Sequence, residues 1–132
     1  MIKTNPTIMI VEDETLLLQA ITKKMKLNKI EPVGCTDGQQ ALDYLKDFPT
    51  LPDAIWLDYH LNGMDGLTLM NNLKKNRRWA SIPVFVVSNS VGPEKVTNML
   101  ALGAKKYLLK ADYRLDEIIK TIIDFINDKN KQ

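Results

Sequence analysis

Hydrophobic and polar positions follow two rhythms along the chain. Short apolar runs occur at Ile8-Met9-Ile10-Val11, Pro32-Val33-Gly34-Cys35, Ala54-Ile55-Trp56-Leu57, Val84-Phe85-Val86-Val87 and Tyr107-Leu108-Leu109. The first, third and fourth are continuously apolar, the mark of strands covered on both faces. The second leads straight into Thr36-Asp37-Gly38, which predicts a shorter strand nearer a sheet edge. Between the runs, apolar residues recur at helical spacing. Leu16, Leu17, Ala20, Ile21, Met25 and Leu27 predict a first helix ending at Asn28. Ala41, Leu42 and Leu45 predict a short second helix that stops before Pro49. Leu67, Leu69, Met70 and Leu73 predict a third, entered through the turn Asn62-Gly63-Met64-Asp65-Gly66. A fourth starts after Pro93 and closes at Gly103. A fifth opens near Leu115-Asp116, carries Ile118, Ile119, Ile122, Ile123 and Ile126, and gives way to a polar tail from Asn127 to Gln132. Five strands alternating with five helices imply an α/β fold, a doubly wound parallel sheet with right-handed crossovers. Trp56, Phe85 and Met99 read as core.

Composition narrows the function classes. The 132 residues are 45% hydrophobic and 26% charged, which suits one globular domain and excludes disordered, collagen-like and fibrous chains. Lys plus Arg (18) against Asp plus Glu (16) leaves +2, too little for a dedicated nucleic-acid surface. The densest basic group, Lys74, Lys75, Arg77 and Arg78, reads as a solvated helix end rather than a phosphate-binding patch. Cys35 is the single cysteine, so an internal disulfide or a cysteine-built metal site is ruled out. No signal-like or membrane-spanning apolar run occurs, and a cytoplasmic setting is expected, with no membrane partner.

In a doubly wound fold the functional crevice lies outside the carboxyl ends of the strands. Those ends carry Glu12 and Asp13, then Asp37, Asp58, Ser88 and Lys110. Any one could be an ordinary turn residue. Asp58, however, is pushed against Glu12 and Asp13, and crowded like charges call for a cation. Oxygen ligands without a His or Cys cluster suit a hard ion such as Mg²⁺. A carboxylate beside Mg²⁺ and a lysine is equipped to become an aspartyl phosphate, with Lys110 and Ser88 steadying the transferring phosphoryl group.

These residues resemble the receiver domain of two-component response regulators, over roughly Thr7 to Ile126. The resemblance rests on Ile8-Met9-Ile10-Val11-Glu12-Asp13 and on Leu57-Asp58-Tyr59-His60-Leu61-Asn62-Gly63-Met64-Asp65-Gly66-Leu67. It continues through Val86-Val87-Ser88 and Gly103-Ala104-Lys105-Lys106-Tyr107-Leu108-Leu109-Lys110. It implies a flavodoxin-like sheet of order 2-1-3-4-5 and a stand-alone receiver over residues 1–132, with its core at about 7–126. Asp58 would be the phosphoacceptor. Asp13 would ligate Mg²⁺ directly, Glu12 through water, and the His60 main-chain carbonyl would add an oxygen. Ser88 would be the switch hydroxyl, Tyr107 the switch aromatic, and Lys110 the phosphate-binding lysine. The implied partners are a sensor histidine kinase or histidine phosphotransfer protein and a downstream protein. The latter would bind the face of the fourth helix, fifth strand and fifth helix, with no direct nucleic-acid contact.

Three positions depart from the family pattern. Asn62 stands where proline is often seen, which would loosen that loop without removing chemistry. Ala111 replaces the proline that usually follows the lysine in a cis peptide, and a non-proline cis bond costs about 2.5–4 kcal/mol. Asn89 replaces a smaller residue and would alter access to the site. The His60 side chain is expected to flank the phosphoryl group rather than carry phosphate. An enzymatic reading, an Asp-nucleophile phosphohydrolase, would need a second Asp where His60 stands. A flavodoxin would need a phosphate cradle where Glu12-Asp13-Glu14 stands. A degenerate receiver that binds partners without phosphorylation is the remaining alternative. The chain is thus expected to be a switch that catalyses only its own phosphorylation and dephosphorylation.

Overall fold

The computed structural model describes residues 5–90 and 92–130. Strands β1 (Thr7–Val11), β2 (Glu31–Cys35), β3 (Ala54–Asp58), β4 (Val84–Ser88) and β5 (Lys106–Leu109) alternate with helices α1 (Thr15–Leu27), α2 (Gly38–Asp47), α3 (Gly66–Lys75), α4 (Pro93–Ala101) and α5 (Leu115–Asn130). A short 3₁₀ turn, Lys110–Asp112, joins β5 to α5. The sheet order is β2-β1-β3-β4-β5 and every pairing is parallel.

Strand alternation sorts the core into two layers. Ile8, Ile10, Trp56, Phe85 and Val87 face α1 and α5. Met9, Val11, Ile55, Leu57, Val84 and Val86 face α2, α3 and Met99 of α4. β3 and β4 are buried at every position, as their unbroken apolar runs require. β2 is an edge strand, as expected, but it is no shorter than β1. An edge position also accommodates Pro32, because one side of the strand has no ladder partner to lose.

Helix α1 corrects the expected stripe. Leu18, Ile21 and Met25 are buried, whereas Leu16 and Leu27 are 82% and 75% exposed and Ala20 lies outside. Leu16 precedes Leu18 by two residues, which turns it by about 200° to the solvent side. In α5 the helix continues through 127–130, so the first part of the expected polar tail is helical; residues 131–132 lie outside the described ones. α4 ends at Ala101 and is capped by Leu102, which is followed by Gly103 at φ +109°.

The basic group at the end of α3 is not simply a solvated end. Lys74 Nζ donates to the Ala80 carbonyl at 2.8 Å. The Arg78 guanidinium donates to the carbonyls of Leu45, Phe48 and Pro49 at 3.2, 3.1 and 2.8 Å. It thereby satisfies carbonyls that the end of α2 leaves without intrahelical partners.

Candidate functional site

Register brings the acidic residues together. Val11 pairs with Leu57, so the next residues along, Glu12 and Asp58, meet at the carboxyl end of the sheet. Asp58 pairs with Val87 and Ser88 with Leu109, which brings Ser88 and Lys110 to the same rim. One carboxylate oxygen from each of Glu12, Asp13 and Asp58 lies within 4.8 Å of the others. Asp37 does not join them: its side chain accepts from the Gln40 amide at 2.8 Å and caps α2. Its place after the edge strand favours the nearest bare helix N-terminus over the more distant carboxylates.

Each carboxylate in the cluster has its own donors. Lys110 Nζ lies 2.8 Å from Glu12 Oε1 and 3.2 Å from Asp58 Oδ2. The Glu14 amide donates to Glu12 Oε2 at 3.2 Å, and the His60 amide to Asp58 Oδ1 at 3.2 Å. Asp13 Oδ2 accepts from the Asn62 amide at 3.1 Å. Glu12 is wholly buried and Asp58 is 3% exposed. Burial, aided by the Asp58 charge, holds the Glu12 carboxyl above its ordinary range despite the opposing Lys110 hydrogen bond. Burial alone would lower the Lys110 ammonium, but the Glu12 hydrogen bond and the charges of Asp58 and Glu12 outweigh it, so the net direction is up. Lys110 reaches both acids with no cis peptide among the described residues, so the Lys110–Ala111 bond is trans.

The loop after β3 is built for close approach. The Gly66 amide donates to the Tyr59 carbonyl at 2.8 Å. A Cβ on Gly66 would lie 2.8 Å from Tyr59 Cα and 2.9 Å from the Asp58 carbonyl oxygen, so no larger residue fits without backbone movement. Asp65 then caps α3 by accepting from the Thr68 amide at 2.8 Å. Ser90, absent from the sequence reading, links the two rims. His60 Nε2 lies 3.0 Å from Ser90 Oγ, the Ser90 amide donates to Ser88 Oγ at 3.3 Å, and the Tyr107 hydroxyl donates to the Ser90 carbonyl at 3.2 Å. Ser88 is fully buried, Tyr107 half-buried on the α4 side beside Tyr59. Asn89 is exposed. A hydroxyl in a loop carries no sequence signal by itself; only the fold shows which partners it meets. Among the described residues no helix is long and apolar enough to cross a membrane.

Residues 8–123 match the family model of the response regulator receiver domain, and the chain belongs to that family. It is 35% identical to the transcriptional regulatory protein BaeR of Escherichia coli O6:H1 over 126 residues, covering 92% of this chain and 49% of BaeR. The chain thus spans about half the length of that curated relative. Its fold is similar to the receiver domain of Francisella response regulator 1452, with TM-score 0.83 and 26% identity over 95% of this chain and 99% of that one. It is also similar to the phosphorylated cyanobacterial phytochrome response regulator RcpA, with TM-score 0.78 and 25% identity over 90% and 89% of the two chains. Receiver domains are signalling switches of two-component systems, generally not enzymes, and typically use Mg²⁺ at an acidic site.

Proposed function

We propose that this chain is a phosphorylation-dependent switch whose acceptor is Asp58. The reading rests above all on one observation: a carboxylate 3% exposed, 3.2 Å from a lysine ammonium and grouped with two further carboxylates at the strand ends. An Asp58 oxygen attacks the phosphorus of a phosphohistidine on a sensor histidine kinase or histidine phosphotransfer protein. The P–O bond forms as the P–N bond breaks, and the imidazole leaves with a proton. Lys110 offers its ammonium to the phosphoryl oxygens, and the Ser88 hydroxyl donates to one of them.

The all-oxygen donor set of Glu12, Asp13 and Asp58 fits Mg²⁺, and the His60 main-chain carbonyl would add a further oxygen. When bound, the ion would supply charge that offsets the phosphoryl oxygens. Phosphorylation adds charge close to −2 and strong acceptor oxygens. Movement of Ser88 toward them would disturb its contact with the Ser90 amide and, through Ser90, the Tyr107 hydroxyl. The packing of α4, β5 and α5 then shifts, and a downstream protein that prefers one packing reads the state.

Incubation with an acyl phosphate and Mg²⁺, followed by intact-mass measurement, tests the assignment. One acid-stable, base-labile phosphoryl adduct is expected, and Asp58→Asn should abolish it. The same mass gain in that variant would remove Asp58 from the mechanism.

A further inference from the structure

The Asp13 carboxylate is held differently from its neighbours. Among the described residues, Lys110 pairs with Glu12 and Asp58 but forms no ion pair or hydrogen bond with Asp13. Among the described residues, the hydrogen-bond partner of Asp13 is the Asn62 main-chain N–H, 3.1 Å from Oδ2 and 49 positions away in the chain. That contact is the tie between the end of β1 and the tip of the loop after β3. It engages one oxygen, Oδ2, while the other accepts no hydrogen bond among the described residues. Asp13 is only half-buried. Without the tie its half-buried side chain would be freer to turn toward water and would be held less firmly at its corner of the acidic group.

We propose that the Asn62 main-chain N–H, not its side chain, is a positioning group that orients Asp13 for divalent-cation binding and couples the β3–α3 loop to the metal. The inference rests on the metal reading given above. Donors behind a metal ligand raise affinity by fixing its orientation, and their loss typically weakens binding by about 10- to 100-fold. Because coupling between sites is reciprocal, the bound cation in turn holds the loop tip against β1.

Proline offers a clean deletion of this amide, since it lacks the N–H. Gly63 has φ +75°, a value that the third residue of a type II turn takes, and the second position of such a turn favours proline. A compatible proline also restricts the unfolded chain, so the metal-free protein should hold or gain stability. Metal affinity and metal-free stability are therefore expected to part company.

The test titrates Mg²⁺ by calorimetry into the wild type, Asn62→Ala and Asn62→Pro, with melting curves recorded in chelator. Asn62→Ala, which keeps the N–H, should bind like the wild type. Asn62→Pro should bind about tenfold more weakly, with a metal-free melting temperature equal to or above that of the wild type. Equal affinity in all three proteins, or equal weakening in Asn62→Ala, would overturn the inference while leaving the metal site standing. No binding by the wild type would instead overturn the metal reading and this inference with it. Should Asn62→Pro fail to fold, amide NMR decides. The Asn62 N–H resonance should move upfield in Asp13→Ala; an unmoved resonance would show that the tie does not exist.

Discussion

Replacing Lys110 with methionine isolates the electrostatics of the site from its packing. Methionine keeps much of the aliphatic stem and removes the ammonium that lies 2.8 Å from Glu12 and 3.2 Å from Asp58. Both acids are almost inaccessible to water, and the Lys110 side chain is itself only 15% exposed. Removing one partner of a buried ion pair typically costs about 3–5 kcal/mol, because the remaining charge is left uncompensated. The residual exposure of Lys110 lets water reach the gap, so the lower end, about 3 kcal/mol, applies. With an unfolding entropy of about 2.1 cal/mol/K per residue over 132 residues, that loss lowers the melting temperature by about 10 °C. The pH dependence follows from the same contacts. The Lys110 pKa is raised, so its contribution is fully present below its ordinary value and is lost only as pH climbs through the higher folded value. The Glu12 pKa is raised by burial, so its protonated form favours folding and its ionised form costs stability. The deficit of Lys110→Met should thus be full at pH 7.5 and shrink as pH falls through the raised folded value of Glu12, above the ordinary 4.5, as Glu12 takes up a proton. Circular-dichroism melts in chelator across that range measure it. A loss below about 2 °C at pH 7.5, or a deficit that grows on acidification, would show that Lys110 does not hold the two acids electrostatically.

Three further substitutions probe the scaffold. Gly66→Ala forces a Cβ to within 2.8 Å of backbone at Tyr59, so a loss of about 2 kcal/mol is expected in urea unfolding. Gly34→Ala, whose new Cβ would find its nearest neighbours in the Leu18 side-chain carbons at 3.4 Å, should be close to neutral in the same assay. Arg78→Ala removes the donors to Leu45, Phe48 and Pro49 at the end of α2. A loss of about 1.5 kcal/mol is expected, with faster amide exchange confined to the last turn of α2.

The alternation of apolar runs and helical periods determined the element order, the parallel sheet and the identity of the buried strands, because β3 and β4 are covered on both faces and tolerate no polar residue before their ends. The same logic placed Glu12, Asp58 and Ser88 at one rim, since a strand that leaves the core must change from apolar to polar there. The sequence was less informative wherever a side chain had a choice of partners. Asp37 and Asp13 both follow β-strands, yet one caps a helix and the other meets a loop amide. Arg78 looks like surface charge until α2 supplies carbonyls within its reach. Leu16 and Leu18 are chemically identical, and only the rotation of α1 against the sheet sends one to water and the other to the core. In each case the deciding quantity is a distance between segments far apart in the chain. Local pattern specifies what a residue can do, and packing specifies which partner is near enough for it to be done.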